Sequence, residues 1–325
     1  MKLEPAGGML RLSAYLVLCG GALLGASSCA SSYRTDTAAS ERSTSADQAY
    51  RREIDEWHAE RIERLKREDG WLSLVGLYPL AEGDNTVGSS EASQVRLPES
   101  APDSLGVIHR RGKSFSFTPS GKGEVSSAGE PVVEEMPILA DNSENPTILR
   151  SGSIRFYLID RGDEYFVRVK DSESEVRRNF KGVDRFPVDP GWRIRAHWKP
   201  YDPPKVLEIG NVLGQVSSEP LYGAIEFSYE AKTYELLASG KPAEGLFLVF
   251  GDATNGDTTY GGGRFLSVDP PSEDGTIILD FNRAYDPPCV FTPYATCPVP
   301  PEGNSLPFAV TAGEKMWGEA QHGGS

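Results

Sequence analysis

The pattern of apolar and polar positions changes character twice along the chain. Residues 12–24 form a short apolar run, below the roughly 20 residues that cross a bilayer comfortably. From about 46 to 68 the period is helical: Tyr50, Ile54, Trp57, Ile62 and Leu65 recur on one face, with Arg and Glu filling the others. That spacing predicts one amphipathic helix, started by Thr44 or Ser45 and ended by Gly70. His58 lies inside it beside Trp57 and reads as a packed or solvated histidine.

After Gly70, short alternating runs are separated by Gly, Pro, Asn and Asp. Strands are predicted near 72–78, 85–88, 105–109, 114–118, 131–136, 154–160 and 164–170. Further strands are predicted near 192–198, 205–216, 222–229, 232–237, 246–250, 258–268 and 276–281. The clearest hairpin joins Ile154, Phe156 and Leu158 through Arg161-Gly162-Asp163 to Phe166 and Val167. A second runs from 246–250 through Asn255-Gly256 into 258–265, because Asn-Gly supplies the positive φ angles of a tight turn. The fold class is therefore mainly β, an antiparallel sandwich or barrel-like domain with one N-terminal α-helix. Residues 48–318 read as the folded part, either one body or a small sandwich over 71–145 followed by a second β unit over 146–318. Residues 319–325 read as a disordered tail.

The ends of the apolar run set the expected address. Lys2 and Arg11 precede it, and Leu24-Gly25-Ala26-Ser27-Ser28-Cys29 follows it. A charged start, a short apolar centre and a small-residue exit make residues 1–28 a signal peptide. The exit resembles a lipobox, which implies diacylglycerol on Cys29; ordinary cleavage near Ser28 or Ala30 is the alternative. Residues 29–47, rich in Ser, Ala and Thr, read as a disordered tether. The expected location is outside the cytoplasm, as a membrane-anchored lipoprotein facing the periplasm or cell exterior. Residues 1–28 carry a net +1 from Lys2, Arg11 and Glu4, so their removal takes the formal charge from −14 to −15. So acidic a chain excludes nucleic acid as a partner and disfavours electrostatic docking on anionic lipid. The expected partners are the membrane, through the lipid anchor, and a small polar molecule or a protein.

Local catalytic signatures are missing. The chain has no Gly-x-Ser-x-Gly, no complete phosphate loop Gly-x-x-x-x-Gly-Lys-Ser/Thr (Gly112-Lys113-Ser114 has Val107 where the first glycine belongs), no Gly-x-Gly-x-x-Gly and no His-Glu-x-x-His. Its four histidines, His58, His109, His197 and His322, are widely separated, and His197, beside Trp198, reads as packing. No cofactor and no metal site is expected.

Chemistry concentrates in residues 250–315. Asp252-Ala-Thr254 leads to Tyr260-Gly-Gly-Gly-Arg264-Phe265-Leu266, then to Asp280-Phe-Asn282-Arg283-Ala-Tyr285-Asp286-Pro-Pro-Cys289 and finally Ala312-Gly-Glu314-Lys315. With Gly70-Trp71-Leu72-Ser73-Leu74-Val75-Gly76-Leu77 and Phe186-Pro-Val-Asp189, these motifs resemble the bacterial domain-of-unknown-function family 1684 across roughly residues 50–317. Asp286 departs from that pattern, which usually has asparagine there, and Pro79 lies near a usual tryptophan. The resemblance implies no activity. Residues 77–140 also faintly resemble a forkhead-associated sandwich, but Ser89 replaces its phosphate-binding arginine, so only a small β-sandwich is implied.

Read as residues, Asp252, Thr254, Tyr260, Arg264, Asp280, Asn282, Arg283 and Tyr294 suit a polar pocket. Carboxylates serve as acid, base or cation ligand, and guanidinium groups serve as planar donors. The same groups equally suit turn-bracing roles. Cys289 and Cys297, eight apart in a proline-rich loop, suit a disulfide, with packed thiols as the alternative and a catalytic thiol third. Two functional classes follow. The first is an exported lipoprotein binding a small polar ligand or protein through this C-terminal region. The second is a hydrolase-type enzyme working through an Asp/Arg-lined pocket.

Overall fold

The helix α1, Ala30–Leu65, is the longest element of the computed structural model, which describes residues 30–318 except Asp163 and Leu213, and only the backbone of 30–43. Residues 1–28, read as a signal peptide, Cys29, read as a lipid site, and 319–325, read as a tail, lie outside the described residues. Helical backbone starts at Ala30, N-terminal of the stretch whose period predicts it, and covers most of the segment read as a tether. No Gly or Pro occurs between 30 and 69 to interrupt it. The chain divides into two units at Gln48/Ala49, and the elements below belong to the second.

Within that unit α1 buries Tyr50, Ile54, Arg61 and Leu65. The apolar stripe therefore carries a buried arginine that periodicity alone does not pick out. Gly70 ends the helical segment by donating its N–H to Arg67 O at 2.9 Å. A Cβ at Gly70 would stand 2.6 Å from Leu65 O, so the close approach requires glycine.

The first β layer is a sandwich. One sheet runs in the order Leu74–Pro79, Glu164–Asp171, Ile154–Arg161, Leu149–Ser151, Ser126–Ser127, Glu130–Pro131, antiparallel throughout. The other pairs Gly83–Gly88, Gly106–Arg111 and Ser114–Pro119 antiparallel, with Val95–Arg96 parallel on one edge and Met136–Pro137 on the other. Alternate residues from both sheets meet: Val87, Ile108 and Phe117 face Phe156, Leu158, Val167 and Val169 in one apolar cluster. Phe117 and Phe156 touch edge to face at 5.8 Å. The hairpin 154–171 thus belongs to the first of these sheets, and the strands of the sandwich run from Leu74 to Asp171.

The second layer pairs Lys232–Leu237, Val216–Tyr229, Arg193–Gly210 and Thr276–Asp280 in that order, all antiparallel. Beside it lies the hairpin Leu246–Phe250 with Arg264–Val268, linked through the Ser239–Phe247 bridge. These strands curl around Trp192, Ile225, Phe227, Leu248, Phe250, Leu266, Leu279 and Phe281. The strands read at 192–198 and 205–216 are one strand, Arg193–Gly210, irregular between Pro200 and Lys205. The strand read at 258–268 begins only at Arg264. Residues 251–263 form a long connection braced by side chains, and Gly263, at φ +86°, brings its backbone against Phe250 O, where a Cβ would lie at 2.6 Å. Among the described residues no helix is long and apolar enough to cross a membrane.

Candidate functional site

Strand alternation places the residues of the hairpin 246–268. Leu246, Leu248 and Phe250 point into the second-layer core, so Phe247 and Val249 face the other way. The register pairs Phe247 with Ser267 and Val249 with Phe265, and this outer face contributes Phe247, Phe265 and Ser267 to a cavity with α1.

Arg264 belongs to the inner side and is wholly buried. Its Nη2 donates to Asp252 Oδ2 and to Val310 O, each at 2.8 Å. Its Nη1 donates to Ala312 O and, at 3.4 Å, to Glu314 O. The remaining Asp252 oxygen, Oδ1, accepts from Thr254 N at 2.8 Å, Thr254 Oγ1 at 2.6 Å and Val310 N at 3.2 Å. Thr254 Oγ1 meets Thr259 Oγ1 at 2.7 Å, and Asn255 Nδ2 donates to Thr259 Oγ1 and Tyr260 O. Every oxygen of Asp252 is engaged, so the group fastens the 251–263 connection to the C-terminal segment. A buried ion pair of this kind is tolerated because both carboxylate oxygens and both terminal guanidinium nitrogens are engaged, which leaves Arg264 Nε as its one buried atom without a partner.

Asp280 and Asn282 form a second lock. Asp280 accepts from Tyr50 Oη at 2.8 and 2.9 Å and from Asn282 N at 3.1 Å. Asn282 Nδ2 donates to Asp189 O at 2.8 Å, and Asn282 Oδ1 accepts from Asp189 N at 3.0 Å. These bonds tie α1, the 186–189 segment and the one-turn helix Phe281–Arg283 together.

A third buried group sits beneath α1. Arg61 Nε donates to Glu314 Oε1 at 3.2 Å, and its Nη2 donates to Asp286 O at 2.9 Å. Glu314 Oε2 accepts from Asp286 N at 2.8 Å. Asp286 Oδ2 accepts from Trp317 N at 3.1 Å, while Oδ1 is buried without a partner. Arg61 and Arg264 supply two positive charges, and Glu314 and Asp252 answer them. Asp286 is left without a cation of its own. Burial, then repulsion by Glu314, pushes its carboxyl up to about 8. Burial likewise lowers the nearby His58, whose Nε2 lies 3.8 Å from Glu314 Oε1.

The cavity itself, of about 560 Å³, has α1 on one side and the outer hairpin face on the other. Its walls are aromatic: Trp57, Trp71, Phe247, Phe265 and Tyr285. Phe265 meets Phe247 at 5.0 Å and Tyr285 at 5.9 Å, both edge to face. The backbones of Phe265 and Tyr285 exchange both hydrogen bonds at 2.9 Å, which fixes these rings on a rigid base. Three arginines, Arg61, Arg64 and Arg283, line the same space against one acid, Asp269. Arg61 stacks its guanidinium 4.5 Å from the Tyr285 ring centre, a cation–π contact. Arg283 pairs with Glu53, and its Nε is buried without a hydrogen bond, 4.0 Å from Asp280 Oδ2. Arg64 has a 3.8 Å contact with the exposed Glu60. Behind Trp71, Arg168 and Lys170 lie 5.5 and 5.6 Å from the ring centre, and burial brings the Lys170 ammonium down to about 8.

The eight residues singled out from the sequence therefore do not share one pocket. Asp252, Thr254 and Arg264 form one buried brace, and Tyr260 enters it through its carbonyl. Asp280 and Asn282 form another. Tyr294 packs with Leu74, Ala295 and Cys297. Of the eight, Arg283 lines the cavity. Cys289 and Cys297 are free thiols, not a disulfide. Sequence reasoning missed Arg61, Arg64, Trp57 and Tyr285 as lining residues. The available signal was Arg61, a charge on the buried face of an amphipathic helix, one turn after Trp57. Among the described residues no three His, Cys, Asp or Glu side chains gather as a metal site.

Residues 178–315 match the model of the family described as "Protein of unknown function (DUF1684)", and the chain belongs to that family. An uncharacterised protein of Haloarcula marismortui, solved by solution NMR, is 32% identical, with 43% of this chain and 78% of that one covered and a TM-score of 0.36. An FHA domain from a study of phosphothreonine-dependent interactions is 20% identical, with 29% of this chain and 92% of that one covered and a TM-score of 0.21. A likeness that slight carries nothing across. No curated protein matches the chain.

Proposed function

We propose that this chain, as a member of a family without an assigned activity, is a binding module for a small anionic molecule with a flat or apolar portion. The observation that carries this reading is the joining of three arginines and five aromatic rings around one cavity of about 560 Å³. Pockets of this size suit small ligands. Guanidinium groups supply planar donors for carboxylate or phosphate, and aromatic walls bury a ring or short chain. The chain as a whole is strongly acidic at −14, so a cationic recess on it concentrates anions locally against the general field.

The hydrolase reading has weaker support, since Asp252 and Asp280 spend their oxygens on Arg264, Thr254, Tyr50 and Asn282. Export, and anchoring through a lipid on Cys29, complete the proposal: the module then samples ligands outside the cytoplasm. Thermal-shift measurements with benzoate, phenyl phosphate, inorganic phosphate and neutral benzyl alcohol test the ligand class. The two aromatic anions are expected to raise Tm in a concentration-dependent way and benzyl alcohol to do so far less. Equal shifts with all four, or none, would overturn it.

A further inference from the structure

Packed behind the walls of the aromatic cavity, the proline-rich loop after Tyr285 holds two thiols in an unusual mutual arrangement. The one-turn helix Pro288–Val290 carries Cys289, and Pro287, Pro288, Pro293 and Pro298 limit the loop's freedom. The Cys289 N–H donates to Cys297 Sγ at 3.1 Å, and the Cys297 N–H donates back to Cys289 Sγ at 3.3 Å. Each sulfur thus lies against the other residue's backbone nitrogen, yet no bond joins them.

The two sulfurs differ in access. Cys297 is buried among Leu74, Val249 and Phe265, at 3% exposure. Cys289 is only part-buried and lines a separate surface cleft of about 480 Å³ with Val176, Asn179, Phe291 and Trp317. They also differ in acidity. Hydrogen bonding from the Cys297 thiol and backbone holds the Cys289 thiol below its ordinary value. The same contact and burial hold Cys297 above it. Thiolate character and access favour one attacking sulfur, and the buried partner is placed to resolve it.

We propose that Cys289 and Cys297 form a dithiol exchange site for small uncharged organic disulfides, with Cys289 attacking and Cys297 resolving. In the first step the Cys289 thiolate attacks one sulfur of R–S–S–R. Its S–S bond breaks, and one RS⁻ leaves and takes a proton from water. In the second step Cys297 gives its proton to solvent and attacks Cys289 Sγ, expelling the second RS⁻. The two protein thiols lose two electrons, the organic disulfide gains them, and two RSH are released. This site is independent of the anion-binding reading and is tested by a different readout.

The test treats the folded full chain with hydroxyethyl disulfide, followed by quenching, trypsin digestion and mass spectrometry. Trypsin cuts after Arg283 and Lys315, so both thiols fall on the single peptide 284–315, apart from Cys19 and Cys29. The wild type is expected to yield an internal Cys289–Cys297 disulfide without retained adduct. Cys297→Ser is expected to retain a mixed disulfide on Cys289. Cys289→Ser is expected to react at position 297 at least about tenfold more slowly, reflecting a buried, protonated thiol. A native wild type that stays fully reduced, an adduct settling first on Cys297, or equal rates in the two variants would overturn the proposal. Matching circular dichroism spectra for the variants separate a chemical effect from unfolding.

Discussion

Arg264 and Asp252 face each other at 2.8 Å with both side chains wholly excluded from solvent. The pair also holds Val310 and Ala312 through their carbonyls, so it joins the 251–263 connection to the C-terminal segment. Arg264→Ala leaves a buried carboxylate unanswered and is expected to cost about 3–5 kcal/mol. Urea unfolding measures this as a lowered midpoint at unchanged slope. A loss below about 1 kcal/mol would mean that the brace is not structural.

Asp286 makes stability depend on pH. Its folded carboxyl lies near 8 against about 3.9 when unfolded. Between these values the folded chain holds a proton that the unfolded chain has released. Stability attributable to this group is therefore full below about pH 4, falls as pH rises, and is lost by about pH 8. Asp286→Asn, the residue usual in the resembled family, removes the titration and keeps an acceptor for Trp317 N. It is expected to be more stable than wild type at pH 9, by roughly 2 kcal/mol or more, and nearly equal at pH 4. Chemical denaturation at the two pH values checks this; an equal or destabilising effect at pH 9 would contradict it.

Tyr50 reaches across 230 positions of sequence to Asp280. Tyr50→Phe keeps the ring and removes the hydroxyl, leaving Asp280 and Asn282 short of one bond each. The expected cost is about 1–3 kcal/mol. Hydrogen exchange is expected to speed up first in α1 near residues 50–54, because that bond fastens the helix there. Unchanged exchange in this segment would contradict the assignment.

How far the sequence discloses this architecture follows from the kind of signal each element leaves. A strand such as Ile154–Arg161, in which buried Ile154, Phe156 and Leu158 alternate with part-exposed Arg155 and Tyr157, is legible because one face is more buried than the other. Strand 258–268 is misread because Tyr260 and Phe265 flank three glycines, and a β-like composition there serves a side-chain-braced loop. The sandwich boundary is hidden because the partner of Phe117 is Phe156, a pairing that no local pattern encodes. The polar residues of 250–315 stand out in the sequence, but chemistry-bearing residue types do not distinguish a brace from a pocket. Asp252 becomes structural only through Arg264, Thr254 and Val310 together. The cavity is assembled from α1, Trp71, a hairpin's outer face and the 283–288 segment, and spacing does not record that convergence.

Arg64 and Arg283 test whether the cavity's charge serves a ligand or the fold. Both keep exposed ion partners, Glu60 and Glu53, and surface pairs of this type contribute about 0–1 kcal/mol. Arg64→Ala and Arg283→Ala are therefore expected to fold normally, with Tm within a few degrees of wild type, whereas Arg61→Ala, with its buried Glu314 partner, is expected to be destabilised. Large losses in both the Arg64 and the Arg283 variant would place all three arginines in the fold.

The ligand proposed for the cavity is an aromatic anion held by its arginines. Isothermal titration of the folded chain with phenyl phosphate at low salt tests it most directly, with Arg64→Ala and Arg283→Ala alongside. Saturable one-to-one binding is expected, weakened about tenfold by either substitution and weakened further by added salt. No saturable heat, or equal affinity in wild type and both variants, would contradict it.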